Sequence, residues 1–177
     1  MRIVLGLLAV VVGLGLFVVI VGYLLPVKHV AVVSARVPAT PEQVWGALTD
    51  VAAYPKWRGD VTSVEMLPAD SGHVAWRERG KNDAISFAIE QAEPPRRLVT
   101  RITDKSLPFG GGWEYEIAPD GAGSRVQITE HGEVYNPVFR FVSRFIMGHT
   151  ATASAYLKAL GARFGAAVEP EVRQRSV

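Results

Sequence analysis

The sequence contains no cysteine and no Asn-x-Ser/Thr acceptor. There is no disulfide framework and no glycosylation signal to read, so the composition suits either side of a membrane. A basic stripe is missing too. Net charge is +2 and the pI is near 9.0. The arginines are scattered, apart from Arg140 and Arg144 near the start of the C-terminal helix. A nucleic-acid footprint needs clustered Lys and Arg with interleaved aromatics, so no nucleic-acid partner is expected. The four histidines, His29, His73, His131 and His149, lack ligand spacing, and no metal or cofactor is expected. Gly110-Gly111-Gly112 lacks the Lys and Ser/Thr of a phosphate loop and precedes a strand, so it reads as a flexible loop over a pocket or as hairpin spacing. Ser34, Ser143 and Ser154 have no nucleophile-elbow setting, which argues against a nucleophilic hydrolase. No repeat or low-complexity segment is present.

Charge is also absent from Ile3 to Leu25, IVLGLLAVVVGLGLFVVIVGYLL. Roughly 23 apolar residues make a helix of about 34 Å, enough to cross a bilayer with some tilt. Gly6, Gly13, Gly15 and Gly22 would weaken a helix in water but are ordinary in lipid. The rival is a cleaved signal peptide. Its nearest small-x-small site, Val33-Ser34-Ala35, falls inside the first strand, which favours a retained single-pass anchor. A packed core helix would need a polar face, and this stretch has none. Arg2 precedes the span and Lys28 and His29 follow it, so the positive-inside count is nearly tied. Leaving the short amino tail in the cytoplasm is the simplest topology. The side of the soluble domain stays open.

After Pro26 the pattern turns to strands and turns. His29 to Val37 is valine-rich and reads as a strand. Thr40-Pro41-Glu42-Gln43 is a capping box with proline at the first helical position, and the helix continues through VWGALTD. The stretch DVAAYPKWRGDV (50–61) follows as a second short helix capped by Asp50. Six further strands are expected: 62–67, 73–79, 84–91, 98–103, 113–118 and 125–134. Turns fall at 68–72, 80–82, 94–95 and 119–123. The spacing indicates an antiparallel meander. Alternation puts Val74, Trp76, Glu78, Ile85, Phe87, Ile89, Leu98, Thr100, Ile102, Trp113, Tyr115, Ile117, Val126, Ile128 and Glu130 on one face. The other face is polar. Asn136-Pro137 starts a last helix that runs from Val138 to Gly165 without further proline. Its stripe is Val142, Ile146, Ala153, Leu157, Leu160 and Phe164, with His149 on the edge.

Three stretches resemble one superfamily. ARVPATPEQVWGALTDVAAYPKWRGDV is similar to its opening strand and helices, WEYEIAPDGAGSRVQITEHGEV to its penultimate hairpin, and FRFVSRFIMGHTATASAYLKALGARF to its closing helix. The chain thus resembles the START-like helix-grip (SRPBCC, polyketide cyclase/dehydratase-like) proteins over roughly residues 29–165. The resemblance implies an α+β helix-grip fold. A curved antiparallel seven-strand sheet wraps on a long C-terminal helix, with two short helices after the first strand and one transmembrane helix before it. The anchor is read from the apolar run and departs from the plain soluble layout of the family; with it the chain divides into a transmembrane anchor (1–26), a START-like ligand-binding domain (27–168) and a disordered tail (169–177).

The fold also implies a deep pocket between sheet and long helix. Tyr54, Trp57, Trp76, Phe87, Trp113, Tyr115, Ile146 and His149 are the candidate ligand-binding residues. Tyr54 and Trp57 either line the pocket mouth or plug the sheet end. Glu130 and His149 are the candidate catalytic groups, since a carboxylate in an apolar cavity can move protons. Glu78 lies near a turn and is expected to reach water. The expected function is a membrane-tethered binding or transport module for a hydrophobic small molecule or lipid. The alternative is a polyketide cyclase/dehydratase-like enzyme using a pocket Glu or His. The lack of a convergent polar set favours the binding module. The residues name no protein partner.

Overall fold

The computed structural model describes residues 2–70 and 72–173. It opens with helix α1, Arg2–Leu24. The span Ile3–Leu24 is long and apolar enough to cross a membrane, and its central window is not buried by the rest of the chain. Strand β1 (Lys28–Val37) follows, then helix α2 (Pro41–Thr49) and a 3₁₀ helix at Val51–Lys56. The meander is β2 (Ser63–Asp70), β3 (His73–Arg79), β4 (Ala84–Glu93), β5 (Arg97–Ile102), β6 (Phe109–Asp120) and β7 (Gly123–Val134). Helices α3 (Pro137–Val142) and α4 (Ala151–Arg163) and a short strand β8 (Glu171–Arg173) close the described chain.

The local chemistry explains these starts. The Thr40 hydroxyl accepts from the Gln43 amide at 3.4 Å while the Gln43 side chain accepts from the Thr40 amide at 2.9 Å, which completes the capping box. The Asn136 side chain accepts from the Val138 and Phe139 amides and caps α3. Asp50 precedes the 3₁₀ helix, but its side chain makes no capping bond.

One antiparallel sheet of eight strands runs in the order β2-β3-β4-β5-β6-β7-β1-β8. The pairings Trp76↔Phe87, Phe87↔Ile102, Thr100↔Trp113, Trp113↔Glu130, Leu98↔Tyr115 and Tyr115↔Ile128 put the alternating apolar set on one face. Pro68 is tolerated because β2 is an edge strand and needs no outer donor. The expected 68–72 turn includes Ser71, outside the described residues. The core lies between this face and helices α2 and α4, where Val33, Leu48, Leu98, Val126, Ile128, Leu157 and Leu160 are almost free of solvent.

Four features differ from the sequence reading. The sheet has eight strands rather than seven, because Glu171–Arg173 pairs with Val32–Ser34 of β1. The tail expected to be unstructured from Glu169 is therefore strand over those residues, and 174–177 lie outside the described residues. Gly110-Gly111-Gly112 is not a loop but part of β6, paired to Glu133, Gly132 and His131 of β7. The C-terminal helix is not continuous. After α3 a wide π-type turn at Ser143–Met147 ends at Gly148, which has φ 74°, and α4 begins only at Ala151. A left-handed backbone at Gly148 stops the helix ladder without the strain a side chain would add.

The break frees α3 from the sheet. It packs on α1 instead: Phe141 lies edge-on to Phe17 at 6.3 Å, and a Cβ at Gly22 would overlap the Pro137 carbonyl. The Arg140 guanidinium donates to the Leu25 carbonyl at 3.0 Å and the Tyr135 carbonyl at 3.1 Å. A cation there favours the carbonyl end of α1.

Leu160 is fully buried and Ile146 is 71% exposed. We expect Leu160→Ala to lower unfolding free energy by about 2–5 kcal/mol and Ile146→Ala to change it by less than ~0.5 kcal/mol, measured by denaturant titration of the full chain in detergent.

Candidate functional site

The concave face has two unlike ends. Beneath α4 it is filled with rings. Tyr156 is the hub, with centroids of Trp57, Trp113 and Tyr115 at 5.4, 5.5 and 5.8 Å and that of Tyr54 at 6.4 Å. The Trp57 and Trp113 contacts are edge-to-face, the geometry the ring quadrupole favours. The deep pocket expected under the helix is thus occupied by side chains at this end. The Tyr54 hydroxyl donates to the Leu48 carbonyl at 2.7 Å, and burial raises its pKa to about 12. The Trp57 indole N–H and the Tyr156 hydroxyl are buried without a hydrogen-bond partner among the described residues. Such orphan donors cost free energy until a guest or a water meets them.

A charge pair is sealed into the same end. Arg58 pairs with Glu78 at 2.9 Å and with Asp60 at 2.6 Å. Its guanidinium lies 5.0 Å from the Tyr54 ring centroid and 5.1 Å from that of Tyr156. Burial pushes the Arg58 pKa down, but the Asp60 hydrogen bond and the Glu78 charge outweigh it and hold it above the ordinary value. Burial raises the Glu78 pKa, offset in part by Arg58 and by the Trp76 indole, which donates to it at 2.9 Å. The expectation that Glu78 reaches water is corrected: it is buried and held by Arg58 and the Trp76 indole.

Toward β4, β5 and the start of β6 the face is only half-covered. Phe87, Ile89, Ile102, Phe109 and Trp113 are half-buried, and Met66 and Val74 at its lip are exposed. A separate groove of about 700 Å³ runs along β4–β6, but Ala88, Glu90 and Arg101 in its lining alternate with Phe87, Ile89 and Ile102 and belong to the opposite, polar face. At the β1–β7 side of the concave face stands a polar group. Glu130 accepts from the Trp113 indole at 3.0 Å and pairs with His29 Nε2 at 3.1 Å. His149, just past the helix break, stacks on the His29 ring at 3.7 Å. A Cβ at Gly132 would overlap the His29 ring, so only glycine leaves the imidazole this place. Burial and the neighbouring His29 lower the His149 pKa.

The candidate residues therefore divide. Tyr54, Trp57, Trp76 and Tyr115 sit in the packed end, with Trp76 stacked on Phe87 at 5.6 Å. Phe87 and Trp113 face the open end, and Glu130 and His149 stand together at its polar side. Ile146 is not brought to either group: it is exposed on the turn that breaks the helix. The sequence reading missed Arg58, Tyr156 and His29. Helical spacing held a signal for Tyr156, three residues after Ala153. Strand parity held one for His29, which alternates with Ala31, Val33 and Ala35. No local signal marks Arg58 as buried, because its partner Glu78 is twenty residues away in the chain.

The family described as polyketide cyclase / dehydrase and lipid transport matches residues 28–169. The chain belongs to this family. Its fold is shared with solved proteins at low identity. A START superfamily protein from Mycobacterium smegmatis is 18% identical with a TM-score of 0.62, over 77% of this chain and 97% of that one. Zhui aromatase/cyclase from a Streptomyces species is 14% identical with a TM-score of 0.62, over 78% and 94%. Norcoclaurine synthase from Thalictrum flavum is 14% identical with a TM-score of 0.60, over 77% and 86%. No curated protein matches at the sequence level. Cyclases and START proteins alike use this scaffold, so the fold alone selects neither binding nor catalysis.

Two outcomes are expected at this site. Arg58→Met should cost about 3–5 kcal/mol by stranding Glu78, and adding Glu78→Leu should recover most of it; a double-mutant cycle reads both. The lowered His149 pKa means that the unfolded chain binds its proton more readily. Its contribution to stability is present above pH 6.5 and is lost as pH falls through the lower folded value. Thermal melts from pH 7.5 to 5 should therefore show a steeper loss in the native chain than in His149→Gln.

Proposed function

We propose that this protein is a membrane-tethered module that binds a hydrophobic small molecule or lipid on the half-open end of its concave face. The observation that carries this is the change in cover along one continuous apolar surface. Leu98, Tyr115, Ile117 and Ile128 are sealed, while Phe87, Ile89, Ile102 and Trp113 on the same face are half-open. Apolar floor next to a few convergent polar groups is the usual make-up of a small-molecule site. The apolar body of the ligand lies on these four side chains, and Glu130, His29 and His149 receive its polar end. Helix α1 provides the tether, and a bilayer supplies ligands of this kind.

A second reading has its own support. Glu130 has both oxygens engaged, by His29 and by Trp113, so its orientation is fixed beside the open floor. Held this way, the His29–Glu130 pair with His149 can give and take protons, as a cyclase/dehydratase-like enzyme requires.

Titration of the full chain with a fluorescent polyene fatty acid tests the first reading. Phe87→Ala or Ile102→Ala should weaken binding roughly 10-fold or more, by the loss of about 1.5–3 kcal/mol of apolar contact. Arg77→Ala, on the opposite face, should leave it unchanged. Equal affinity in all three variants contradicts the site. Glu130→Gln separates the readings: lost turnover with retained affinity supports the enzyme.

A further inference from the structure

Five large apolar side chains after β7 are exposed. Phe139, Phe145, Ile146 and Met147 are 47%, 58%, 71% and 64% exposed, and Val138 is 41% exposed. Three of them are consecutive and lie on the turn that interrupts the helix. An apolar run of this kind is costly in water and marks a contact surface. The contacts with α1 indicate what covers it. Pro137 sits against Gly22, and Phe141 against Phe17. Phe17 lies seven residues before the end of α1, about 10 Å along its axis. A span of this length has its end near the bilayer surface, so whatever packs on Phe17 is below that surface. Arg140 is tied to the last turn of α1 through the Leu25 carbonyl, and Arg144 is exposed one turn further on. Cationic side chains at that level suit anionic headgroups, and long ones reach up to them.

We propose that residues 137–147 are a second membrane-contacting element, embedded beside α1 with Phe139, Phe145, Ile146 and Met147 among lipid acyl chains and Arg140 and Arg144 among headgroups. This rests on the tether reading of α1 and extends it. His149 follows directly and stands at the polar side of the half-open face. A lipid-derived ligand then has an entrance at the bilayer and need not cross water.

The absence of native cysteine makes the test clean. Val10→Cys, Phe145→Cys, Ile146→Cys and Lys81→Cys variants of the full chain are labelled with bimane and reconstituted in phosphatidylcholine/phosphatidylglycerol vesicles, with and without brominated acyl chains. All four positions are exposed in the structure, so labelling leaves the core intact. Quenching by brominated lipid at Val10, Phe145 and Ile146, and none at Lys81, is the expected result. If Val10 is quenched while Phe145 and Ile146 remain as open to aqueous iodide as Lys81, the proposal is overturned and the tether stands. If Val10 too escapes brominated lipid, both fail. Labels at 145 and 146 that are shielded from iodide but blind to brominated lipid place a second copy of the chain on this surface, which also overturns the proposal.

Discussion

Helix α4 is too short for the sheet it grips. Its 13 residues make a rod of about 20 Å that begins only at Ala151, after the break at Gly148. With α2 and the 3₁₀ helix it can seal one end of the concave face and no more. Tyr156, Leu157 and Leu160 bring α4 onto the β1–β7 side, and the sealed end becomes the core. What remains of the face must meet solvent or a guest.

The sealed end is filled by aromatic rings and one buried ion pair. Arg58 is stabilised there by two carboxylates and two ring faces. Burying such a pair adds little net stability but holds Tyr54, Trp57 and Trp76 in one arrangement. That rigid plug fixes the border of the half-open region and sets Trp113 at the boundary, where it touches Tyr156 on one side and Glu130 on the other.

The sheet was legible because alternation is local. Trp76, Phe87, Thr100, Trp113 and Ile128 each follow from parity within their own strand, and register then brings them to one face. The helix break was not. Val138 to Gly165 has apolar residues at helical spacing and no proline, and a glycine within a helical pattern does not by itself end it. In the structure Gly148 takes φ 74° where the ladder stops, and α3 docks through Pro137 and Phe141 on α1, more than a hundred residues earlier in the chain, a contact that no local pattern signals. The same limit hid His29 and Arg58, whose roles depend on Glu130 and Glu78 in distant strands. The triple glycine misled for a different reason: glycine favours loops, yet at Gly111 the small size lets β6 lie close against His131 and Gly132 of β7.

The central claim is that the open half of the concave face is a site rather than an unfinished core. A high-resolution structure of the full chain, extracted from membranes without removing lipid, addresses it directly. The account requires a bound molecule resting on Phe87, Ile89, Ile102 and Trp113, with its polar end toward Glu130 and His149. A helix running unbroken through Gly148 and closing over those side chains, with no space beneath it, would contradict the account.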